Sequence, residues 1–200
     1  MTGRTAKPVA VAITGGIGAG KSEALRAFAR HGAAIVSSDE IVHHLIRADP
    51  EIKSAMVERL GEEILGEGGE IDRSRVGERV FRDRELLAWL EGLLHPKVSA
   101  EYLRWREQLA ELPVPPAVTV TEVPLLYEVG GETRFDKVVV ITAPTKLREA
   151  RANVALAGRS DRLLPDREKV EQADFSYVNT GTLGELDAFV AGVMETLTPD

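Results

Sequence analysis

Residues 12–28 read AITGGIGAGKSEALRAF. Gly15, Gly20, Lys21 and Ser22 complete the pattern G-x-x-x-x-G-K-[ST], a turn whose backbone N–H groups close around phosphate oxygens. Gly15, Gly16, Gly18 and Gly20 can take positive φ and put no side chain in the way. The cradle predicted from the motif is Gly16, Ile17, Gly18, Ala19, Gly20, Lys21 and Ser22. Lys21 is expected to bridge the β- and γ-phosphates, and the Ser22 hydroxyl to ligate Mg²⁺. A glycine-rich link with no ligand is the competing reading, and the flanking segments argue against it. Before the loop, Pro8 to Thr14 (PVAVAIT) is a nearly continuous apolar run, as in a strand buried on both faces. After it, Lys21 to Arg30 has helical spacing with Ala24, Leu25 and Phe28 on one face, so a helix dipole also points at the loop. Strand, loop and helix in this order bind a nucleoside triphosphate.

Working outward, AAIV (Ala33 to Val36), AVTVTEV (Ala117 to Val123) and KVVVIT (Lys137 to Thr142) read as further strands. Buried strands separated by helical segments imply βαβ units, hence an α/β fold of P-loop NTPase type with a mostly parallel, helix-flanked sheet. Between Asp49 and Leu112 no convincing strand is found, whereas IDRSRVGERVF, ELLAWLEGLL and KVSAEYLRWREQL carry helical periodicity. An inserted helical lobe over 49–112 is expected, with the core formed by 1–48 and 113–200. The proline-rich ELPVPPA marks the return to the sheet, and LGELDAFVAGVMETL reads as a closing helix.

Composition narrows the function classes. The formal net charge of −7 removes a whole-chain basic footprint for nucleic acid. With no cysteine there is no disulfide framework, thiolate metal site or cysteine nucleophile. No apolar run reaches the length of a membrane span, and the apolar patch after Arg4 and Lys7 is too short for a signal peptide. A cytoplasmic protein without nucleic-acid or membrane partners is expected.

The destination of the terminal phosphate is harder to read. The guanine-reading N-K-x-D of a GTPase is absent, and a motor or transporter ATPase is ordinarily larger. A kinase needs a carboxylate beside the acceptor hydroxyl, and IVSSDEIVHHL supplies Asp39 just past the strand Ala33–Val36. On position alone, Asp39 suits that role and the N-cap of the following helix equally well.

Six segments taken in order are more specific: TGGIGAGKS, SDEIVHH, IDRSRVGERVF, LLHPKV, EVPLLYE and VNTG. From about Val9 to Leu186 the chain resembles the dephospho-coenzyme A kinases, in which ATP phosphorylates the ribose 3′-hydroxyl of dephospho-coenzyme A in the last step of coenzyme A synthesis. The resemblance implies ATP and Mg²⁺, a helical substrate lobe, and a lid over about 148–167. It also implies that Asp39 is the base, with His43 facing the acceptor's phosphates or ribose. Spacing alone makes His43 and His44 exposed helix residues. His95 matches the family's H-P beside the substrate cleft, although Pro96 also suggests a helix break there. Phe81 matches a family phenylalanine, and a core role explains it equally well. Pro124, Leu125 and Leu126 would form an apolar wall with Glu128 nearby, and Glu122 suits contact with Mg²⁺ or substrate. Asn179 matches a position near adenine, a plain turn being its alternative. The lid is expected to supply arginines for the transferring charge: Arg148 and Arg151 as catalytic candidates, Arg159 toward ATP, and Arg162 in the same stretch.

The chain departs from the family pattern at Ser37 (usually Asp), Glu23 (commonly Thr), Glu122 (usually Asp) and Leu163 (usually Gln). Two alternatives therefore stand beside the kinase named by the resemblance: another small P-loop nucleoside or nucleotide kinase, and a nucleotide-binding protein that has lost turnover. A monomer or weak homo-oligomer is expected.

Overall fold

The computed structural model describes residues 7–152 and 163–198. The chain divides into two compact units, Met1–Ser37 with Arg106–Asp200, and Ser38–Trp105. The second thus spans 38–105, where the sequence suggested a lobe over 49–112.

The first unit is built on five parallel strands: β1 (Val9–Thr14), β2 (Ala34–Ser37), β3 (Val118–Glu122), β4 (Lys137–Thr142) and β5 (Phe175–Val178), in the order β2-β3-β1-β4-β5. Strand alternation assigns β1 to two cores at once. Val11 and Ile13 face α1 (Lys21–Arg30) and α8 (Leu183–Leu197), where Leu25, Phe28, Leu186, Val190 and Val193 are buried. Ala12 faces the other side, with Leu126, Val138 and Val140, against which Val170 of α7 (Asp166–Gln172) packs. Each large side chain so buried is worth about 1.5–3 kcal/mol of transfer free energy. A capping box, with Thr182 and Glu185 exchanging bonds with one another's N–H groups, starts α8. One more helix, α6 (Thr145–Ala152), follows β4.

Strand β5 is an addition to the sequence reading, which stopped at four. Its four residues, FSYV, alternate half-buried with exposed, as fits the sheet edge, and Tyr177 stacks on Phe189 of α8 at 4.9 Å. Because all strands are parallel, Thr14, Ser37, Glu122 and Thr142 end on one edge, with Ile13 and Ser37 both in register with Glu122. Open α/β sheets bind their ligands at that edge.

The second unit holds α2 (Ser38–Ala48), α3 (Pro50–Leu60), α4 (Arg73–Val80) and most of α5 (Arg84–Ala110). Asp49 caps α3, accepting from the N–H groups of Glu51 and Ile52, with Pro50 fitted to the first helical position. Asp72 caps α4 in the same way. Helix α5 runs straight through Pro96, so the break the sequence suggested at His95 does not occur. The reason is the buried row Leu90, Leu94, Val98 and Tyr102, which continues at every fourth residue on both sides of the proline. Burying those four side chains outweighs the cost of about 3 kcal/mol of a proline inside a helix.

Candidate active site

The glycine loop leaves β1 at Thr14 and enters α1 at Lys21. Gly15, Gly18 and Gly20 have φ of 141°, 73° and 101°, conformations that L side chains rarely adopt. Gly16 has no positive φ; its requirement is space, since a Cβ there would collide with the Arg148 guanidinium. Gly20 precedes α1 with no side-chain cap, which leaves the first N–H groups of the helix to a ligand.

Three side chains donate to the loop's carbonyl oxygens. Lys21 Nζ reaches Gly16 O at 3.2 Å, Arg148 Nε reaches Ile17 O at 2.8 Å, and Asn179 Nδ2 reaches Ala19 O at 2.9 Å. The fold brings these residues together from α1, from α6 and from the turn after β5. Arg148 is 8% exposed and also forms an ion pair with Asp166 at 2.9 Å. Arg151, one turn further along α6, donates to Asn179 O at 3.2 Å.

At the end of β3 the buried Glu122 carboxylate accepts from the Ser22 hydroxyl at 3.3 Å, and its other oxygen lies 4.0 Å from Lys21 Nζ. A hydroxyl beside one carboxylate is a hard-oxygen set suited to Mg²⁺, which keeps several waters and takes its remaining ligands from phosphate. Among the described residues no group of three or more His, Cys, Asp or Glu could hold a metal by itself. The donors present therefore fit an ion that arrives with a nucleotide.

The segment after β3 divides its expected substrate residues among several jobs. Leu126 is wholly buried in the core beneath the sheet, whereas Pro124 and Leu125 are half-buried. Pro124 O accepts from Thr14 Oγ1 at 3.3 Å. Glu128 turns toward α7: its Oε1 lies 2.7 Å from Nζ of the fully buried Lys169 and accepts from Leu164 N–H at 2.9 Å. Tyr127 has a buried phenol with no hydrogen-bond partner among the described residues. Burial, with the Asp174 and Glu132 carboxylates nearby, pushes its pKa up to about 12.

The other expected residues lie in the second unit. Asp39 is the second residue of α2, in the first turn of that helix. His43 Nδ1 is 3.2 Å from Nη1 of Arg73, the first residue of α4. Phe81 is 75% exposed, which removes the core explanation for it. His95 lies within the continuous helix α5. Arg159 and Arg162 fall outside the described residues. Asp166 and Lys169 were not legible as site residues, because nothing in the spacing of PDREK foretells which distant side chains they meet.

A five-stranded parallel sheet with this strand order and a lysine- and serine-ended glycine loop at its carboxyl edge is the fold of the P-loop kinases. The family model for dephospho-CoA kinase matches residues 9–185, and the chain belongs to that family. It is 37% identical to a dephospho-CoA kinase of Protochlamydia amoebophila over 88% of this chain and 90% of that one. It is 34% identical to the dephospho-CoA kinase of Thermobifida fusca over 94% and 95%. Among solved structures, a Thermus thermophilus protein superposes with a TM-score of 0.73 at 29% identity, covering 96% of this chain and all of that one. No helix among the described residues is long and apolar enough to cross a membrane.

Proposed function

We propose that the chain transfers the γ-phosphate of ATP to the ribose 3′-hydroxyl of dephospho-coenzyme A, giving coenzyme A. The observation that carries this reading is the Lys21, Ser22 and Glu122 group at the mouth of the glycine loop, in a chain of this family. Lys21 and the loop N–H groups neutralise charge on the β- and γ-phosphates as it shifts during transfer. Ser22 would hold Mg²⁺, with Glu122 orienting that hydroxyl, and the ion when bound would screen charge on the phosphate oxygens. Asp39 stands two residues beyond β2 and orients the acceptor hydroxyl or takes its proton. His43 with Arg73 supplies donors for the acceptor's phosphate groups, and the exposed Phe81, with His95, Pro124 and Leu125, meets the rest of that molecule. Arg151 and Asn179 serve the nucleotide side. We extend the same reading to a cytoplasmic enzyme acting as a monomer or weak homo-oligomer.

The test offers dephospho-coenzyme A, adenosine, AMP or no acceptor to the purified protein with ATP and Mg²⁺, and follows the gain of one phosphate by mass spectrometry. Coenzyme A is expected only in the first reaction. With Asp39→Asn it should fall by about 10²–10⁴-fold while ADP binding persists. Phosphate gained by adenosine or AMP instead would move the reading to a nucleoside or nucleotide kinase.

A further inference from the structure

We propose that Asp166 is a positioning residue of the nucleotide loop: it holds Arg148 on the Ile17 carbonyl, and that bond turns the Gly18 N–H toward phosphate. The inference rests on reading the loop as an ATP site. Across a trans peptide the C=O and N–H point in opposite directions, so a donor fixed on Ile17 O stands behind the Gly18 N–H. Arg148 Nε provides that donor at 2.8 Å, and its guanidinium lies against Gly16, where even a methyl group would collide with it. The same relation holds one peptide pair further on, where Asn179 fixes Ala19 O behind the Gly20 N–H. A loop carbonyl that accepts a charge-assisted bond also makes the N–H of its own peptide a stronger donor. Arg148 thus serves the phosphates from the rear of the loop.

A guanidinium on a rotamer-rich stem needs a second anchor to stay there, and Asp166 Oδ2 takes Nη1 at 2.9 Å. Asp166 is the first residue of α7, and the start of that helix is itself fixed. Glu128 Oε1 accepts from Leu164 N–H two residues earlier and pairs with Lys169 three residues later, within the helix. The chain of contacts is continuous within the first unit, from Glu128 through Leu164 and Lys169 to Asp166, Arg148 and Ile17. It assigns Glu128 a part in aiming the nucleotide loop, where the sequence suggested acceptor binding.

The test is ADP titration by calorimetry with the full chain, alongside KM for ATP, KM for the acceptor and thermal melting. Asp166→Asn, which keeps shape and removes charge, is expected to weaken ADP about tenfold and to raise the KM for ATP in step. The acceptor KM stays put, melting falls only slightly because the Asp166 side chain is 31% exposed and the Asn oxygen still accepts from Arg148, and Asp166→Glu restores most of the loss. Arg148→Lys, which cannot span both Ile17 O and Asp166, should show the same nucleotide defect, and combining it with Asp166→Asn should add nothing further. ADP affinity within twofold of the unaltered protein in Asp166→Asn overturns the proposal, as do fully additive losses in the double variant. ADP binding needs no acceptor, so a wrong assignment of the acceptor would appear in turnover and leave this readout unaffected.

Discussion

Replacing Lys169 with methionine keeps most of the buried stem and removes only the ammonium, 2.7 Å from Glu128 Oε1. The lysine is wholly buried and the Glu128 side chain is 11% exposed, so the variant leaves a carboxylate nearly out of water with the Leu164 N–H as its remaining partner among the described residues. Orphaning one member of a buried pair costs about 3–5 kcal/mol, whereas removing both charges is close to neutral. Lys169→Met should therefore lower the melting temperature by about 6–20 °C, at 2–4 °C per kcal/mol for a chain of this size. Adding Glu128→Gln, whose amide oxygen still accepts from Leu164 N–H, should restore stability to within about 1–2 kcal/mol of the unaltered protein. Urea unfolding followed by circular dichroism on the four members of the cycle gives the numbers. A double variant as unstable as Lys169→Met alone would refute the reasoning, since the loss would then come from packing or from net attraction in the pair. A single variant within about 1 kcal/mol of the unaltered protein would refute it as well.

Other expectations are independent of that pair. Gly15→Ala forces a Cβ onto the Ile141 carbonyl at φ 141°, so melting should drop by the equivalent of about 1–3 kcal/mol and ADP affinity should fall with it. Lys21→Met should reduce turnover about 10²–10³-fold, because its charge acts on the transferring phosphate, and melting should fall less than in Lys169→Met, because Glu122 lies 4.0 Å from Lys21 and keeps the bond from Ser22. Asp49 is held below the usual carboxylate value of 3.8, chiefly by the bond from Lys97 and also by the Ile52 and Glu51 N–H groups. A depressed pKa gives stability that is present above 3.8 and lost as pH falls through the folded-state value. The stability gap between the unaltered protein and Asp49→Asn should thus be full at neutral pH and close below 3.8, as read from urea midpoints across that window. Phe81→Ser should leave melting unchanged, to within about 0.5 kcal/mol, and raise the KM for the acceptor; a marked fall in melting would return Phe81 to a structural role.

How far the sequence could be read followed the range of the forces involved. Strand β1, the glycine loop and α1 were legible because an apolar run, four glycines and a 3.6-residue period are local signals. Strand β5 was not: it lies at the sheet edge, where FSYV alternates half-buried with exposed and lacks the continuous apolar run of β4. Pro96 misled because its local cost is plain in the sequence, while the burial of Leu90, Leu94, Val98 and Tyr102 that overrides it is a tertiary fact. Phe81 shows the converse, an aromatic residue that local pattern cannot sort between interior and surface. In the site, Lys21 and Ser22 were marked by residue type and spacing, and Glu122 by the family resemblance. The bonds from Arg148 to Ile17 and Asp166 join residues 131 and 18 positions apart, and no periodicity announces them.

The strand order has a consequence for synthesis. Val9 pairs with Val118, and β4, the other neighbour of β1, begins at Lys137. At about 5–20 residues per second, β1 leaves the ribosome roughly 5–20 s before either partner exists. Its apolar run waits exposed through that interval, because parallel pairing across so long a separation cannot begin earlier. The helical unit, contiguous over Ser38–Trp105, has no such delay and can collapse while the sheet is still being made. Arg148 and Asn179, which brace the loop's carbonyls, emerge later than both partner strands. The phosphate loop is therefore synthesised well before the strands and side chains that brace it, and takes its working shape only after they emerge.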